Sequence, residues 1–243
     1  MCGRYFQARS TGDIARYFAT VNAVPNLVPS FNKAPTQDGL AVRRHPETKA
    51  LHLDVLRWGL VPRWAKDASG AARMMNARGE SVAGKPAFRE AFRKRRCLVP
   101  MDGFYEWRGE GKARQPFACA LRSGEPMACA GLWEGWKQPD GDWLRTFTII
   151  TCASAGRQAL LHDRMPVILP RAAWDPWLAG EDDAALRALL KPAEDALLAF
   201  WPVAARVGRV AENDAALLEP DPLAQPPPGL DDSPTAGPSV MVT

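Results

Sequence analysis

Apolar and polar positions alternate, or form short apolar runs, in five segments that predict β-strands. These segments are residues 52–60, 97–100, 117–121, 127–132 and 145–152. The third and fourth runs are separated by a short segment that contains Gly124 and Pro126. A short turn between two strands is typical of a β-hairpin. We therefore predict that these two runs pair with each other.

A spacing of three and four residues between apolar positions predicts helices, most of them late in the chain. The predicted helices cover residues 13–18, 86–96, 171–178, 183–190 and 193–200. Ser10 or Thr11 would cap the first, and Pro86 stands where the second begins. Strands precede the late helices and no βαβ alternation is visible. The pattern therefore predicts an α+β fold with a mixed or barrel-like antiparallel sheet.

Composition agrees with a globular fold. The chain has 243 residues, of which 47% are hydrophobic and 24% are charged, as in a protein with one sizeable core or two small ones. Proline, alanine and aspartate dominate the end of the chain, so we predict one folded domain over residues 1–220 and a disordered tail over residues 221–243. No run approaches the roughly 18 apolar residues of a membrane helix, and no signal-peptide core is visible. We expect a cytoplasmic protein.

Charge is distributed unevenly along the chain. Residues 181–243 contain 4 basic and 11 acidic residues, which leaves 27 basic and 16 acidic residues in the first 180. A basic body suits a polyanionic partner such as nucleic acid. A solvated basic surface explains the charge alone equally well.

Cysteine and histidine spacing gives no indication of a metal site. The three histidines are far apart and the five cysteines form no CxxC pair, so no metal is predicted. An odd number of scattered cysteines favours a reducing compartment. Four of them lie in apolar, strand-like segments and are predicted to pack in the core: Cys97, Cys119, Cys129 and Cys152.

Cys2 is the first candidate for chemistry. Removal of Met1 would leave an α-amine and a thiol on neighbouring carbon atoms, a 1,2-aminothiol. Their reference pKa values are roughly 7.7–8.0 and about 8.5, and Arg4 is expected to lower the thiol pKa further. Two reactions follow: acyl transfer, or capture of an aldehyde as a Schiff base that the thiol closes into a thiazolidine ring. A cysteine without a chemical role is about as compatible with this feature alone.

A polar cluster at residues 76–80 is the second candidate. Asn76 is suited to position an amine or a carbonyl group, and Arg78 is suited to hold a phosphate through two N–H donors. An ordinary ion pair between Arg78 and Glu80 is the commoner explanation of such a pattern.

Glu106 and His162 complete the candidates. Glu106 lies between Tyr105 and Trp107, and aromatic flanks desolvate a carboxyl group, which favours its protonated form as proton transfer requires. A surface glutamate on a strand is the alternative. His162 precedes a turn bounded by Pro166, and histidine is the side chain that titrates nearest neutral pH. A capping or hydrogen-bonded core histidine is the alternative there.

Eight short motifs occur in order along the chain: MCGRY at 1–5, APTQ at 34–37, WGLVPRW at 58–64, NARGE at 76–80, CLVP at 97–100, GFYEW at 103–107, GLWE at 131–134 and HDRMP at 162–166. Together and in this order they resemble one known family, the SOS response-associated peptidase (SRAP) family. The resemblance extends from residue 1 to about residue 220.

The resemblance implies a single domain with a β-barrel-like sheet and flanking helices. It implies a sensor of abasic sites in single-stranded DNA that crosslinks to them through the thiazolidine chemistry of the processed Cys2. Asn76 is similar to the family residue that orients the amine and thiol, and Glu106 to its acid/base carboxylate. His162 is similar to the residue that moves protons during sugar ring opening and crosslink reversal.

The resemblance also implies how DNA binds. Arg78 is similar to the family's phosphate-binding arginine. No metal or organic cofactor is required, and we expect a monomer that is associated with the nucleoid if the source is bacterial. Further DNA contacts are expected at Arg4, Arg164, Trp58, Pro62 and Trp64.

Two other functions are compatible with the same residues. A cysteine peptidase or N-terminal nucleophile hydrolase would use Cys2 against an amide carbonyl, with His162 or the α-amine as base. A DNA-binding scaffold without covalent chemistry would use the basic segment at residues 89–96. The family name itself records a peptidase activity, which removal of the protein's own first residue would explain.

Overall fold

The computed structural model describes residues 2–109, 111 and 114–230. Five strands close into a barrel in the order β10, β4, β3, β6, β9 and back to β10. The pairing of β10 with β4 is parallel, and the other pairings are antiparallel. The barrel strands are β3 (Asp38–Arg44), β4 (Leu51–Trp58), β6 (Arg96–Met101), β9 (Met127–Lys137) and β10 (Trp143–Ala153).

Two short strands extend the barrel at β10. β5 (Asn76–Arg78) pairs with it in parallel, and β11 (Arg164–Pro166) pairs with it in the antiparallel direction. A second, fully antiparallel sheet has the order β12, β8, β7, β1, β2. Its strands are β1 (Arg4–Gln7), β2 (Ser30–Lys33), β7 (Gly103–Arg108), β8 (Gln115–Leu121) and β12 (Leu198–Pro202).

The helices are short. Ser10 caps the first, because its Oγ accepts the N–H of Asp13 at 3.1 Å. The helix predicted at residues 86–96 is shorter than expected, because the chain enters β6 at Arg96. The helices are α1 (Thr11–Tyr17), α2 (Arg89–Lys94), α3 (Trp174–Ala179) and α4 (Asp183–Ala188). None in the described ranges is long and apolar enough to cross a membrane.

These elements confirm the predicted α+β fold with a mixed, largely antiparallel barrel. The predicted hairpin of residues 117–121 and 127–132 is wrong, however. β8 pairs with β7 and β12, whereas β9 pairs with β6 and β10. The connecting segment therefore passes from one sheet to the other, and turn residues alone did not reveal this because a tight turn does not require its flanking strands to pair.

The helix predicted at residues 193–200 is also wrong. A 3₁₀ turn at Asp195–Leu197 is followed by β12, which pairs with β8 from Leu198 to Pro202. Both faces of this strand are buried, since Phe200 and Trp201 belong to different apolar clusters. A short apolar run that is buried on both faces has no period that separates a strand from a helix.

The folded part extends beyond the predicted boundary at residue 220. Leu230 is 1% exposed and belongs to the main apolar cluster. The backbone N–H of Asp221 donates to the carbonyl of Pro202 at 2.9 Å, which ties the start of this segment to β12. Leu230 is thus packed against the domain, although Leu223 in the same segment is 90% exposed, and residues 231–243 lie outside the described residues.

Candidate functional site

Cys2 lies directly before β1, the strand between β2 and β7 in the second sheet. Tyr5 and Phe6 of this strand are buried on opposite faces, which fixes the register of the chain start. Cys2 itself is 0% exposed and belongs to the main apolar cluster. The beginning of the chain is therefore held inside the molecule.

Asn76 connects Cys2 to the barrel. It opens β5 and lies opposite Ile149 of β10. Its Nδ2 donates a 2.7 Å hydrogen bond to the carbonyl oxygen of Cys2. Its Oδ1 is buried and has no hydrogen-bond partner in the described residues. A buried acceptor without a partner is costly, so this atom is available to a donor near Cys2.

Glu106 lies on β7, next to the strand that Cys2 precedes. The antiparallel pairing of Arg4 with Tyr105 brings Glu106 beside the chain start. Glu106 is 2% exposed, and its Oε1 accepts the N–H of Trp107 at 3.4 Å. β7 packs closely against β1 at Gly103, where a Cβ atom would lie 2.3 Å from the ring of Phe6. The structure thus places a buried carboxylate near the thiol.

The pKa of the Cys2 thiol is raised, whereas the sequence led us to expect that Arg4 would lower it. Burial, together with the nearby Glu106 carboxylate, raises its pKa far above the ordinary value. Arg4 does not lower it, since its guanidinium donates to Asn32 Oδ1 at 2.8 Å and to the carbonyls of Val207 and Gly208. The thiol is therefore protonated at neutral pH and needs a base at the moment it reacts.

His162 lies in the turn before β11, the strand that pairs with the end of β10 at Ala153. Its Nδ1 is 2.6 Å from Asp163 Oδ1 and 3.0 Å from the backbone nitrogen of Arg164. Within the described chain its Nε2 has no hydrogen-bond partner, and it does not bond to Cys2 or Asn76. The ring is oriented by its own turn and presents Nε2 for proton exchange.

The arginines predicted to contact DNA fall into two groups. Arg78 is exposed and forms no hydrogen bond or ion pair with its side chain in the described residues. Arg164 instead forms a bidentate pair with Glu80, at 2.6 and 2.9 Å, and donates to the carbonyl of Thr151. This pair lowers the pKa of Glu80. The ion pair predicted between Arg78 and Glu80 is thus replaced by one with Arg164, and Arg78 is left for a ligand.

The two tryptophans of residues 58–64 lie in different environments. Trp58 is 0% exposed, stands 5.0 Å from Tyr5 between ring centroids, and donates its indole N–H to Met75. Pro62 is buried as well, whereas Trp64 is 68% exposed. Trp58 and Pro62 are therefore corrected from DNA contacts to core residues, because neither offers a surface on which a base can stack.

Thr151 is a site residue that the sequence did not indicate. It lies on β10 opposite Arg78, its carbonyl accepts from Gly79 and Arg164, and its Oγ1 is 3.5 Å from the carbonyl of Ala77. It therefore holds β5 and β11 in place on both sides. Threonine within an apolar strand is common, so no local pattern distinguishes it.

Two further thiols lie near Cys2. Cys119 and Cys129 are buried, and like Cys2 each has a pKa raised by burial and by the neighbouring thiols. All four cysteines predicted to pack in the core are buried and unpaired. Within residues 2–109, 111 and 114–230, no group of three histidine, cysteine or acidic side chains is arranged to hold a metal ion.

Comparison with known proteins identifies the family of this chain. The family model described as "SOS response associated peptidase (SRAP)" matches residues 1–210. The chain belongs to the SRAP family. This SRAP chain is 37% identical over 224 residues to the abasic site processing protein YoqW of Bacillus subtilis, covering 90% of this chain and 99% of that protein.

More distant relatives share most of the chain as well. The abasic site processing protein HMCES of Gallus gallus is 31% identical over 82% of this SRAP chain and 68% of its own length. The abasic site processing protein YedK of Escherichia coli is 28% identical, over 90% of this chain and all of its own. A crystal structure from Bacteroides thetaiotaomicron superposes with a TM-score of 0.82 at 23% identity, covering 90% of this chain and 100% of that one, which shows the shared fold.

Proposed function

We propose that this SRAP protein recognises abasic sites in single-stranded DNA and crosslinks to them through Cys2 after Met1 has been removed. The main supporting observation is the hydrogen bond from Asn76 to the carbonyl of Cys2, which holds Cys2 beside the buried Glu106. The relatives YoqW, HMCES and YedK are abasic site processing proteins, which supports the same substrate.

The reaction is a condensation that loses one water molecule. The freed α-amine of Cys2 attacks the aldehyde carbon of the open abasic sugar, and water leaves to give an imine. The sulfur then bonds to the imine carbon while a proton goes to the nitrogen, which closes the thiazolidine ring. Because a 1,2-aminothiol supplies both nucleophiles, no oxidant or reductant is needed.

Each pocket residue has a distinct part in this reaction. The unpartnered Oδ1 of Asn76 accepts an N–H of the α-amine and orients its lone pair toward the aldehyde. Glu106 takes the proton of the thiol, whose pKa burial raises, and returns it to the nitrogen. His162 moves protons during sugar ring opening and crosslink reversal through its Nε2. Arg78 binds a phosphate next to the lesion.

The test is intact-protein mass spectrometry before and after incubation with a single-stranded oligonucleotide that carries one abasic site. We expect a starting mass without Met1 and an adduct equal to the sum of protein and oligonucleotide minus one water. Cys2→Ala should form no adduct, while Cys97→Ala, a matched change of a buried thiol outside the pocket, should form it normally. An undamaged oligonucleotide is the second control.

Three outcomes would contradict the proposal. The first is an adduct that survives Cys2→Ala. The second is a processed chain that gives no adduct. The third is hydrolysis of a peptide in trans that depends on Cys2, which would favour the N-terminal nucleophile hydrolase. Binding that ignores both the lesion and Cys2→Ala would favour a DNA-binding scaffold.

A further inference from the structure

A groove outside the reaction site lies beside the hairpin of β9 and β10. Its volume is about 370 Å³. It is open at the surface, between this hairpin, the start of β6 and the loop after Pro62, which is anchored because the indole of Trp136 donates to the carbonyl of Ala65 at 2.8 Å. The groove is lined by Arg63, Arg95, Trp133, Glu134, Gly135, Trp143 and Arg145.

The charge of this groove is positive. Glu134 is its single acidic lining residue, and it is 5% exposed and paired with Arg95 at 2.8 Å. Arg63 and Arg145 are exposed and form no hydrogen bond or ion pair in the part of the chain described here. Arg63 is close enough to Glu134 to interact with its charge, but three arginines against one glutamate leave the lining with an excess of two positive charges.

The same groove exposes an aromatic ring. Trp143 of its lining is 59% exposed, and Trp64, which follows Arg63 in the chain but does not line the groove, is 68% exposed. Tryptophan is buried in most proteins because of its large apolar surface. Exposed indole rings beside unpaired arginines are the combination by which proteins bind single-stranded nucleic acid without regard to sequence, through stacking and phosphate contacts.

We propose that this groove binds the single strand that flanks the lesion, with Trp143 stacking on a base and Arg63 and Arg145 holding phosphates. The inference rests on the proposed function, since the bound strand is the one that enters the reaction site. It adds a second contact surface that holds undamaged nucleotides.

β10 connects the two surfaces. Arg145 lies near its start, and Ile149 and Thr151 pair with Asn76 and Arg78. At about 3.3 Å per residue, Arg145 and Thr151 are about 20 Å apart along the strand. A stacked strand with one phosphate per 3.4 Å crosses this span in about six nucleotides. One strand can therefore occupy both surfaces at once.

The test compares short and long strands in the Cys2→Ala background, where binding is measured without crosslinking. The short probe carries an abasic analogue at the centre of about five nucleotides, which leaves about two on either side, too few to cross the span of about six nucleotides to the groove. The long probe extends it to about 15. We expect Trp143→Ala to weaken binding of the long probe at least about fivefold and to leave the short probe unchanged. Trp143→Phe, which retains a stacking ring, should restore most of the lost affinity.

Two further readouts address charge and position. Arg145→Ala should reduce the salt dependence of long-probe binding by about one unit of slope. Arg89→Ala, on the surface of α2, is the matched control and should change neither probe. Quenching of tryptophan fluorescence by the long probe should decrease in Trp143→Phe.

The inference is overturned if Trp143→Ala and Arg145→Ala bind the long probe like the parent. It is also overturned if a polyglutamate peptide displaces the long probe as well as an oligothymidylate of equal charge does, because the groove would then suit an acidic protein. Crosslinking is measured separately on the short probe with Cys2 intact. Failure of the proposed function and failure of this inference are therefore distinguishable.

Discussion

The reaction pocket, formed by Cys2, Asn76 and Glu106, and the outer groove, formed around Arg63, Trp143 and Arg145, differ in solvation. The pocket keeps its polar atoms out of water, and one of them, Asn76 Oδ1, has no partner in the described chain. The groove leaves Arg63 and Arg145 exposed and pairs its partly buried Arg95 with Glu134. The pocket is therefore the more desolvated of the two regions.

Because of this difference in solvation, the pocket and the groove should respond to different solution conditions. Charges in a desolvated pocket respond to pH and to single-atom changes, because their protonation states depend on burial. Exposed cations respond to salt, which screens them and competes for phosphates. Changes in the pocket are therefore expected to alter rates, and changes in the groove to alter affinity.

The largest expected effect is a loss of stability at alkaline pH. Burial raises the pKa of Cys97 to about 12 and that of Cys152 to about 11, and it raises the pKa values of Cys2, Cys119 and Cys129 well above the ordinary value. Their contribution is complete below the unfolded pKa of about 8.5 and is lost as the pH rises toward the folded values. In that range each thiol lowers the free energy of unfolding by up to about 1.4 kcal/mol per pH unit.

Urea unfolding under reducing conditions between pH 7 and pH 10 measures this loss. The buried phenols of Tyr5 and Tyr105 add to it at higher pH, while Lys33, whose pKa burial lowers, acts in the opposite direction. Cys97→Ala should flatten the pH dependence by the share of one thiol. A stability that is constant up to pH 10 would contradict the burial of these groups.

The next effect concerns the pocket carboxylate. Glu106→Gln keeps the shape of the side chain but removes its ability to take the thiol proton, so crosslinking at saturating DNA should slow by about a hundredfold or more. Glu134→Gln changes a second buried carboxylate, outside the pocket, and is expected to lower stability while leaving the rate unchanged. Quench-flow or gel time courses measure both. Equal rates in Glu106→Gln and the parent would remove Glu106 from the mechanism.

The fold class could be predicted from the sequence because it follows from local patterns of apolar and polar residues. Strand periodicity located β4, β6 and β10, and Ser10 was among the two predicted caps of α1. Partner choice was not predictable, since β8 and β9 join different sheets although a tight turn links them. The periodicity also predicted a helix where β12 lies. Both faces of this strand are buried, so its residues do not alternate between apolar and polar.

Candidate site residues were predictable by type but not by environment. The motifs identified Asn76 and Glu106, and the structure shows both beside Cys2. Nothing in the sequence shows that Trp58 is buried or that Arg164 is paired with Glu80. Such facts depend on residues far apart in the chain. The contribution of Thr151 was missed for the same reason.

A smaller change is expected at His162. Its Nε2 has no hydrogen-bond partner among the residues that the structure describes, so His162→Ala removes the proposed proton carrier without disturbing a described hydrogen bond of that atom. We expect crosslink reversal to slow at least tenfold, which a time course after addition of competitor DNA measures. Asp163→Asn, which changes only the orienting neighbour at 2.6 Å, should have a weaker effect. Normal reversal in His162→Ala would exclude the proposed proton transfer.

The smallest effect separates two arginines of the same type. Arg78→Ala should weaken DNA binding about tenfold and reduce its salt slope by about one, because one phosphate contact is lost. Arg78→Lys retains the charge and should retain the slope. Arg4→Ala removes donors from Asn32 and from the carbonyls of Val207 and Gly208.

Arg4→Ala should therefore reduce the free energy of unfolding by about 1–3 kcal/mol and leave the salt slope unchanged. Fluorescence anisotropy at several salt concentrations, with denaturant unfolding of the same samples, measures both quantities. An Arg4→Ala protein that loses salt dependence as Arg78→Ala does would show that its guanidinium leaves those carbonyls for DNA. The division between a structural arginine and a binding arginine would then not hold, because an arginine held by backbone carbonyls would still be available to phosphate.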